Sequence, residues 1–341
     1  MYRQSVKIAL ILVYLVILAG AVVRMTGSGM GCPDWPKCFG HIIPPTERSE
    51  LEWHPNQSFH KGQVIIIDET LQVAVSDFIS GNRFQPQNWN LYTKHDYAKF
   101  NALHTWVEYI NRLCGVLAGI GVFVMALLSF KKWRYKKRIV WLSWLSVFLM
   151  AFQGWLGATV VYSVLEPVKI TVHMLMAIVI VAVLMYLLYI SKEHRSQKIK
   201  ARTFQNVLVV AILFTFIQIA LGTQVRQFVD EQVDLVGYAA RSQWLLTPDL
   251  LFYIHRSFSI LILLVNLMLW WQNRSLKLGF SLMDPLLLIL LLEIILGMAM
   301  YYFNFPFLSQ PLHLLLAIAF FSIQFYIFLQ SLQTKIRLKK A

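Results

Sequence analysis

The sequence predicts an all-α polytopic membrane protein with eight transmembrane helices, arranged as two pseudosymmetric four-helix bundles. Apolar side chains make up 57% of the 341 residues and charged ones only 14%, and the mean hydropathy is +0.57. Such a composition excludes a water-soluble globule of average type. The long apolar stretches divide into eight lengths of about 20 residues, which is the length that spans a bilayer. Related motifs recur along these stretches and indicate an internal duplication.

The predicted spans cover most of the chain. The first bundle is expected from residues 1–191, with an outer insert at residues 25–100, and the second bundle from residues 203–332. A repeat of four spans gives both halves the same orientation, related by an axis along the membrane normal. In chain order the predicted spans are residues 6–24, 101–130, 139–162, 168–191, 203–226, 249–272, 281–303 and 311–332.

The basic residues indicate topology. The net charge is +14, but the Lys and Arg residues lie in short clusters between apolar stretches and do not form the basic face that nucleic-acid binding requires. Together with Arg3 and Lys7, they mark alternate connections, so the positive-inside rule places both termini and these connections in the cytoplasm. The clusters are residues 131–138, 192–202, 274–277 and 335–340. The first span resembles a signal peptide but lacks an Ala-x-Ala site, so we expect it to be retained. A bacterial inner membrane is the simplest location.

Two cysteines lie on the predicted outer side. Cys32 and Cys38 flank two prolines, and an oxidising compartment favours a disulfide between them. The alternative is a pair of reduced thiols in a loop. The rest of the insert, at residues 42–99, contains Trp53 and Trp89 among many polar residues, and a folded lid and a loose loop are both compatible with it.

Internal repeats link the odd spans to each other and the even spans to each other. Three odd spans carry Leu-Gly with Gln or Glu four residues before the Gly: Gln153/Gly157, Gln218/Gly222 and Glu293/Gly297, with a weaker copy at Gly20. The even spans each carry a histidine near the outer end: His104, His173, His255 and His313. Gly115 and Gly119 on the second span lie four residues apart, which is typical of close helix contacts.

The four intramembrane histidines predict haem binding. An ionisable residue inside the membrane is a functional candidate by default, although a single histidine can simply donate to a neighbouring carbonyl. Imidazole is a common ligand of haem iron, and four-helix bundles hold cofactors between facing helices. Two histidines in each half would supply two axial ligands to one haem in each bundle.

Other intramembrane polar residues fit this interpretation. Four arginines near the outer surface are candidates to bind haem propionates, or alternatively to reach the interface as anchors: Arg24, Arg112, Arg226 and Arg256. Glu108 lies one turn after His104, and the segment around His255 has no matching carboxylate. This asymmetry suggests that one site reacts and the other transfers electrons. Glu293 is expected to be a packing carboxylate.

The segment from Gly20 to Cys38, the segment Glu108-Tyr109-Ile110-Asn111-Arg112 and the repeated histidines together resemble the heme A synthase family over nearly the whole chain. The resemblance implies eight helices in two bundles, with haem b held by His255 and His313 and the substrate haem O served by His173. It also implies a disulfide between Cys32 and Cys38. Glu108 would be the essential carboxylate while a ring methyl of haem O is oxidised to the formyl group of haem A.

One departure from the family concerns the second span. The family usually has Glu-x-x-His-Arg there, whereas this chain has Asn111 before Arg112. His104 lies seven residues earlier, on the same face within about 20°, but about 10 Å away along the axis. Either His104 takes over as iron ligand, which we favour, or His173 is the only strong ligand. Residues 227–248 also lack a cysteine pair that some relatives carry.

The sequence leaves rival functions open. A membrane b-type cytochrome that passes electrons from quinol needs the same histidine pairs but no Glu108. A quinone-linked thiol oxidase would use Cys32 and Cys38, although their spacing is not Cys-x-x-Cys, and a transporter is a weaker third interpretation. For a synthase, haem O synthase is a candidate partner, an electron acceptor is required, and the lipid bilayer surrounds the spans.

Overall fold

The computed structural model describes residues 1–192, 198–199, 201–332 and 334–335. Within them, eight helices are long and apolar enough to cross a membrane, which confirms the prediction of a polytopic, all-α, multi-pass membrane protein. In chain order the helices are α1 (Tyr2–Met25), α2 (Ala102–Ser129), α3 (Lys137–Tyr162), α4 (Pro167–Ile190), α5 (Arg202–Val236), α6 (Leu250–Ser275), α7 (Met283–Tyr302) and α8 (Ser309–Ser331). The basic clusters 192–202 and 335–340 lie partly outside the described residues.

Seven helices agree with the predicted spans to within a few residues, whereas α5 extends ten residues beyond the predicted end at residue 226. Residues 227–236 lie outside the predicted span, and this prediction is wrong. They continue the helix because Val229 and Val233, four residues apart, lie on one face and are buried in a cluster with Trp244. Arg226 also forms an ion pair with Asp230 one turn later, at 2.5 Å. The helix ends at Gly237, whose φ is 86°.

The outer insert is folded and contains most of the strands. They are β1 (Ser58–Phe59), β2 (Val64–Ile67), β3 (Thr70–Ala74), β4 (Phe78–Ile79) and β5 (Trp89–Leu91). The antiparallel sheet has the order β2-β3-β5, and β1 pairs with β4. Asp68 and Glu69 connect β2 to β3 with positive φ angles of 47° and 56°, the conformation of a type I′ hairpin turn. A parallel pair, β6 (Lys198–Ile199) and β7 (Thr334–Lys335), lies elsewhere in the chain.

Two small apolar clusters support the insert. One surrounds Cys32 and Cys38 and includes Phe39, Leu51 and Val64. The other consists of Phe59, Ile65, Ala74 and Trp89, whose aromatic rings are in edge-to-face contact. Of the two alternatives for this segment, the structure therefore favours the folded one, because alternate apolar residues of β2 and β3 find buried partners.

The helices and the insert divide into two compact units. The first comprises Met1–Tyr14, Val122–Ser146 and Ile178–Ala341, and the second comprises Leu15–Gly121 and Val147–Ala177. In the first unit, α5, α6, α7 and α8 share an apolar core in which the rings of Phe204 and Phe280 stack at 4.9 Å. The second unit contains the insert. The division into bundles at residues 1–191 and 203–332 stays a prediction.

One packing expectation is wrong. A Cβ added to Gly115 or Gly119 would meet no atom of the described residues within 4 Å. These glycines of α2 therefore make no close backbone contact with another described helix, since small-residue packing requires neighbouring atoms at contact distance.

Candidate functional site

A buried carboxylate in the second unit joins α2 to the disulfide loop, which comprises residues 32–38. Glu108 is 4% exposed. Its Oε2 accepts a hydrogen bond from the backbone N–H of Cys32 at 2.9 Å, and its Oε1 pairs with Nη2 of Arg112 at 2.5 Å. Because a buried charge is costly unless it is paired and hydrogen-bonded, these two contacts are what the carboxylate requires at this depth.

Arg112 also holds the loop itself. Its Nη1 donates to the carbonyl oxygens of Asp34 and Lys37, both at 2.7 Å, and its Nη2 lies 3.3 Å from the carbonyl oxygen of Cys32. The guanidinium thus contacts both the loop backbone and Glu108. The predicted contact between Arg112 and a propionate stays a prediction.

The loop closes on itself through a disulfide and a buried aspartate. Cys32 and Cys38 are bonded, with Cα atoms 4.8 Å apart, which confirms the predicted pair. The carboxylate of Asp34 accepts from the backbone N–H groups of Phe39 and Gly40, at 2.5 and 2.8 Å. Burial raises the pKa of Asp34 above its usual value, while these hydrogen bonds and the charge of Arg112 oppose the increase.

The loop also packs tightly on the start of α2. Gly31 lies so close to the backbone of His104 that a Cβ there would overlap its carbonyl group. The hydroxyl of Thr105 donates to the carbonyl of Gly31 at 2.7 Å. Only glycine fits this approach, and it brings the Cys32 amide within reach of Glu108.

In the first unit, two predicted ligands face each other. The rings of His255 on α6 and His313 on α8 have centroids 6.5 Å apart and an interplanar angle of 74°. Two imidazole nitrogens that each lie about 2 Å from a shared metal place their ring centroids roughly 6 Å apart. The separation therefore fits an iron held between the two rings.

The recurring Gln and Glu residues contact these histidines. Nε2 of Gln218 donates to the carbonyl of His255 at 3.0 Å, whereas Oε2 of Glu293 lies 2.5 Å from Nδ1 of His313. Glu293 thus contacts the imidazole itself, beyond the packing role expected for it. A carboxylate on the second ring nitrogen orients a ligating histidine and raises its basicity.

The second unit repeats this arrangement around His173. Nε2 of Gln153 donates to the carbonyl of His173 at 2.9 Å. The repeat glycines lie against the same ring atom in each case: an ideal Cβ on Gly157 would be 3.4 Å from Cε1 of His173. The corresponding distances are 3.1 Å from Gly222 to His255 and 3.7 Å from Gly297 to His313.

The fourth repeat glycine faces Asn111. An ideal Cβ on Gly20 would lie 3.7 Å from Oδ1 of Asn111, so Asn111 stands where the other repeats have a histidine. His104 lies two turns earlier, against the disulfide loop. The geometry favours Asn111 for the repeat position, and an iron ligand at His104 stays a prediction that no contact in the described residues supports.

Buried polar atoms without hydrogen-bond partners concentrate at the repeat positions. Buried polar groups are normally satisfied, so atoms left unpaired at matching places fit a bound group. They include Nδ1 of His173 and His255, Oδ1 of Asn111, and Oε1 of Gln153 and Gln218. Among the described residues, no group of three His, Cys, Asp or Glu side chains forms a metal cluster.

The remaining predicted arginines have protein contacts. Arg226 pairs with Asp230, and the guanidinium of Arg256 lies over the rings of Phe252 and Tyr253, at 5.9 and 5.4 Å. Arg24 occupies the last turn of α1. Propionate binding by these three residues stays a prediction.

Comparison with known proteins identifies the family. The model of the COX15-CtaA family, described as cytochrome oxidase assembly proteins, matches residues 4–80 and 83–325. The chain belongs to this family. It is 29% identical over 221 residues to the heme A synthase of Shewanella oneidensis. It is also 26% identical over 347 residues to the heme A synthase of Ehrlichia canis, and 23% identical over 275 residues to that of Alkalihalophilus pseudofirmus.

The extent of these matches differs. The Ehrlichia alignment covers 92% of this chain and 88% of the relative, and the Alkalihalophilus alignment covers 77% and 73%. The Shewanella alignment covers 63% of this chain and about half, 54%, of the relative.

Sequence reasoning missed both partners of Glu108, of which only Arg112 had a local signal, its i,i+4 spacing on α2. The contact between Cys32 and Glu108 joins residues 76 positions apart, and no local pattern encodes it. The positioning role of Gln153 and Gln218 did have a signal, because both stand at one repeat position in spans that precede a histidine.

Proposed function

We propose that the chain is a heme A synthase, a membrane oxidoreductase that oxidises a ring methyl of haem O to the formyl group of haem A. Glu108 carries this proposal. It is a buried carboxylate, paired with Arg112, one turn from the repeat position of Asn111. At the matching place in the other half stands Phe252, and Asp249 there only caps α6. The similarity to proteins described as heme A synthases supports this activity.

We propose His173 as a ligand of the substrate haem, and His255 with His313 as the ligands of haem b. Haem b, when bound, would accept and pass on electrons. Gln218 fixes the backbone of His255, and Glu293 orients the imidazole of His313. These contacts support a permanently held cofactor, because residues that orient the ligands increase affinity for the metal group.

A carboxylate in a site of low dielectric suits this reaction, because charge develops at the carbon that is oxidised. Converting the methyl and one water to a formyl group releases four protons and four electrons, through a carbinol and a hydrated aldehyde. In our proposal the negative charge of Glu108 stabilises the positive charge that develops at the carbon, or its carboxylate takes a proton from the attacking water. Arg112 and the Cys32 amide hold the carboxylate in place, so it needs little reorganisation during the reaction.

The membrane location and topology of the chain are part of the same proposal. The basic clusters favour a bacterial inner membrane with both termini in the cytoplasm, so the disulfide loop and the outer ends of the helices face the opposite side, where a disulfide persists. A haem O synthase is the candidate supplier of substrate, and the electrons leave to an acceptor outside the chain.

The test compares two substitutions of the same chemical type. Glu108→Gln keeps the shape and one acceptor oxygen, and we expect haem b to stay bound while conversion of haem O to haem A falls at least about 100-fold, as for loss of a general base. Glu166→Gln removes an exposed carboxylate that pairs with Lys169 at 3.0 Å and should convert haem O normally. Extracted haems are measured by chromatography.

Normal haem A production in Glu108→Gln would contradict the proposed mechanism. The facing rings of His255 and His313 also suit a b-type cytochrome that only transfers electrons. That function would be favoured if the wild-type chain contained haem b but formed no haem A when supplied with haem O.

A further inference from the structure

The four repeats of this chain are not chemically equivalent at the position that faces the repeat glycine. In three of them a histidine ring lies against the glycine, at His173, His255 and His313. In the remaining one the carboxamide of Asn111 lies there, next to Gly20. The half that contains His255 and His313 thus has two imidazoles, whereas the other has one imidazole and one amide.

The amide oxygen of Asn111 and an imidazole nitrogen differ in how strongly they bind haem iron. Oδ1 of Asn111 is buried and has no hydrogen-bond partner, so it is aimed at a place that no described protein donor fills. Imidazole nitrogen binds iron well, whereas an amide oxygen suits harder cations such as Mg²⁺ and Ca²⁺. A haem between Asn111 and His173 would therefore have one strong axial bond where the other site has two.

We propose that Asn111 makes the N-terminal site, at Asn111 and His173, an exchangeable haem site. The C-terminal site, at His255 and His313, retains its haem. This inference rests on the proposed function, in which haem O must enter and haem A must leave in every cycle. A single strong ligand allows release, since each additional metal–ligand bond must break before dissociation. Asn111 lies three residues after Glu108 on α2, so the two side chains project from the same face of the helix.

The experiment uses the full-length chain in detergent, loaded with iron protoporphyrin IX as the probe. In the wild type we expect two haems per chain, one of which binds carbon monoxide when reduced and transfers to apomyoglobin at least about tenfold faster than the other. Asn111→His should abolish carbon monoxide binding and slow transfer of that haem at least about tenfold, or about 1.4 kcal/mol. Asn111→Leu, which removes the amide, should keep carbon monoxide binding.

Three kinds of result would overturn the inference. The first is a wild type that binds a single haem, or two haems that both exclude carbon monoxide. The second is carbon monoxide binding that appears only in His104→Ala, which would make His104 the second ligand. The third is an Asn111→His protein that behaves like the wild type while its C-terminal haem spectrum is intact, which reports correct folding.

Failure of the proposed function gives a different result. A chain that shows the expected carbon monoxide binding and exchange, but forms no haem A from haem O, would contradict the synthase activity and leave the role of Asn111 supported. Conversely, haem A formation by a chain in which both haems exclude carbon monoxide would overturn only the inference about Asn111.

Discussion

The repeat glycines allow a graded test of how closely α5 and α7 approach the histidines. Replacing each glycine by alanine adds one methyl at the same repeat position. The added carbon would lie 3.1 Å from the His255 ring at Gly222 but 3.7 Å from the His313 ring at Gly297. Carbon atoms are normally about 3.5–4.0 Å apart, so only Gly222→Ala pushes its histidine, by a few tenths of an ångström.

The energies can be compared position by position. Alanine is favoured over glycine inside a helix by about 1 kcal/mol, whereas overpacking costs about 1–3 kcal/mol. Gly297→Ala should therefore stabilise the chain by about 1 kcal/mol. Gly222→Ala should be neutral or destabilising by up to about 2 kcal/mol. Gly115→Ala, where an added carbon meets no described neighbour within 4 Å, reports the helix preference alone.

The assay is titration of each purified variant with haem, together with its thermal unfolding. If the strain reaches the proposed ligand His255, about 1 kcal/mol weakens haem binding roughly fivefold in Gly222→Ala and not in Gly297→Ala or Gly115→Ala. Equal haem affinity in Gly222→Ala and Gly297→Ala would refute the close approach of Gly222 to the ring.

Two further predictions concern the proposed haem b site and the outer insert. Glu293→Gln removes the anionic partner of His313, so the reduction potential of the bound haem should rise. Glu231→Gln, which changes an exposed carboxylate, is the control. An unchanged potential in Glu293→Gln would exclude an effect of the carboxylate. Burial lowers the pKa of His41 below its usual 6.5, and its Nε2 lies 3.2 Å from Nε2 of Gln63. Because the folded state then binds fewer protons, stability of the insert should be complete above about pH 6.5 and fall as the pH drops below it. Protease resistance between pH 8 and 5 measures this, and a profile that persists in His41→Gln would count against it.

The membrane spans could be read from the sequence because their signals are local. A run of about 20 apolar residues satisfies its own backbone hydrogen bonds as a helix wherever its neighbours lie. The disulfide was likewise predictable from two close cysteines on the outer side. The end of α5 was missed because five of residues 227–236 are polar, three of them acidic. Only the burial of Val229 and Val233 shows that they continue the helix.

The outer insert and the surroundings of Glu108 were not predictable in the same way. The strands of the insert are short, and their apolar residues are buried only by partners from other strands. Arg112 could be read as a propionate ligand from its position alone, but its contacts with the carbonyls of Asp34 and Lys37 depend on how the loop returns to α2.

The sequence by itself determined the class of protein, the number of spans, the disulfide and the repeated histidines, because each depends on composition or spacing within a short stretch. Tertiary structure alone decided that Asn111 and not His104 faces Gly20, that Glu293 touches the imidazole of His313, and that the Cys32 amide holds Glu108. Such contacts join residues on different elements. Their geometry is set by how the helices and the loop pack, and no pattern along a single helix contains it.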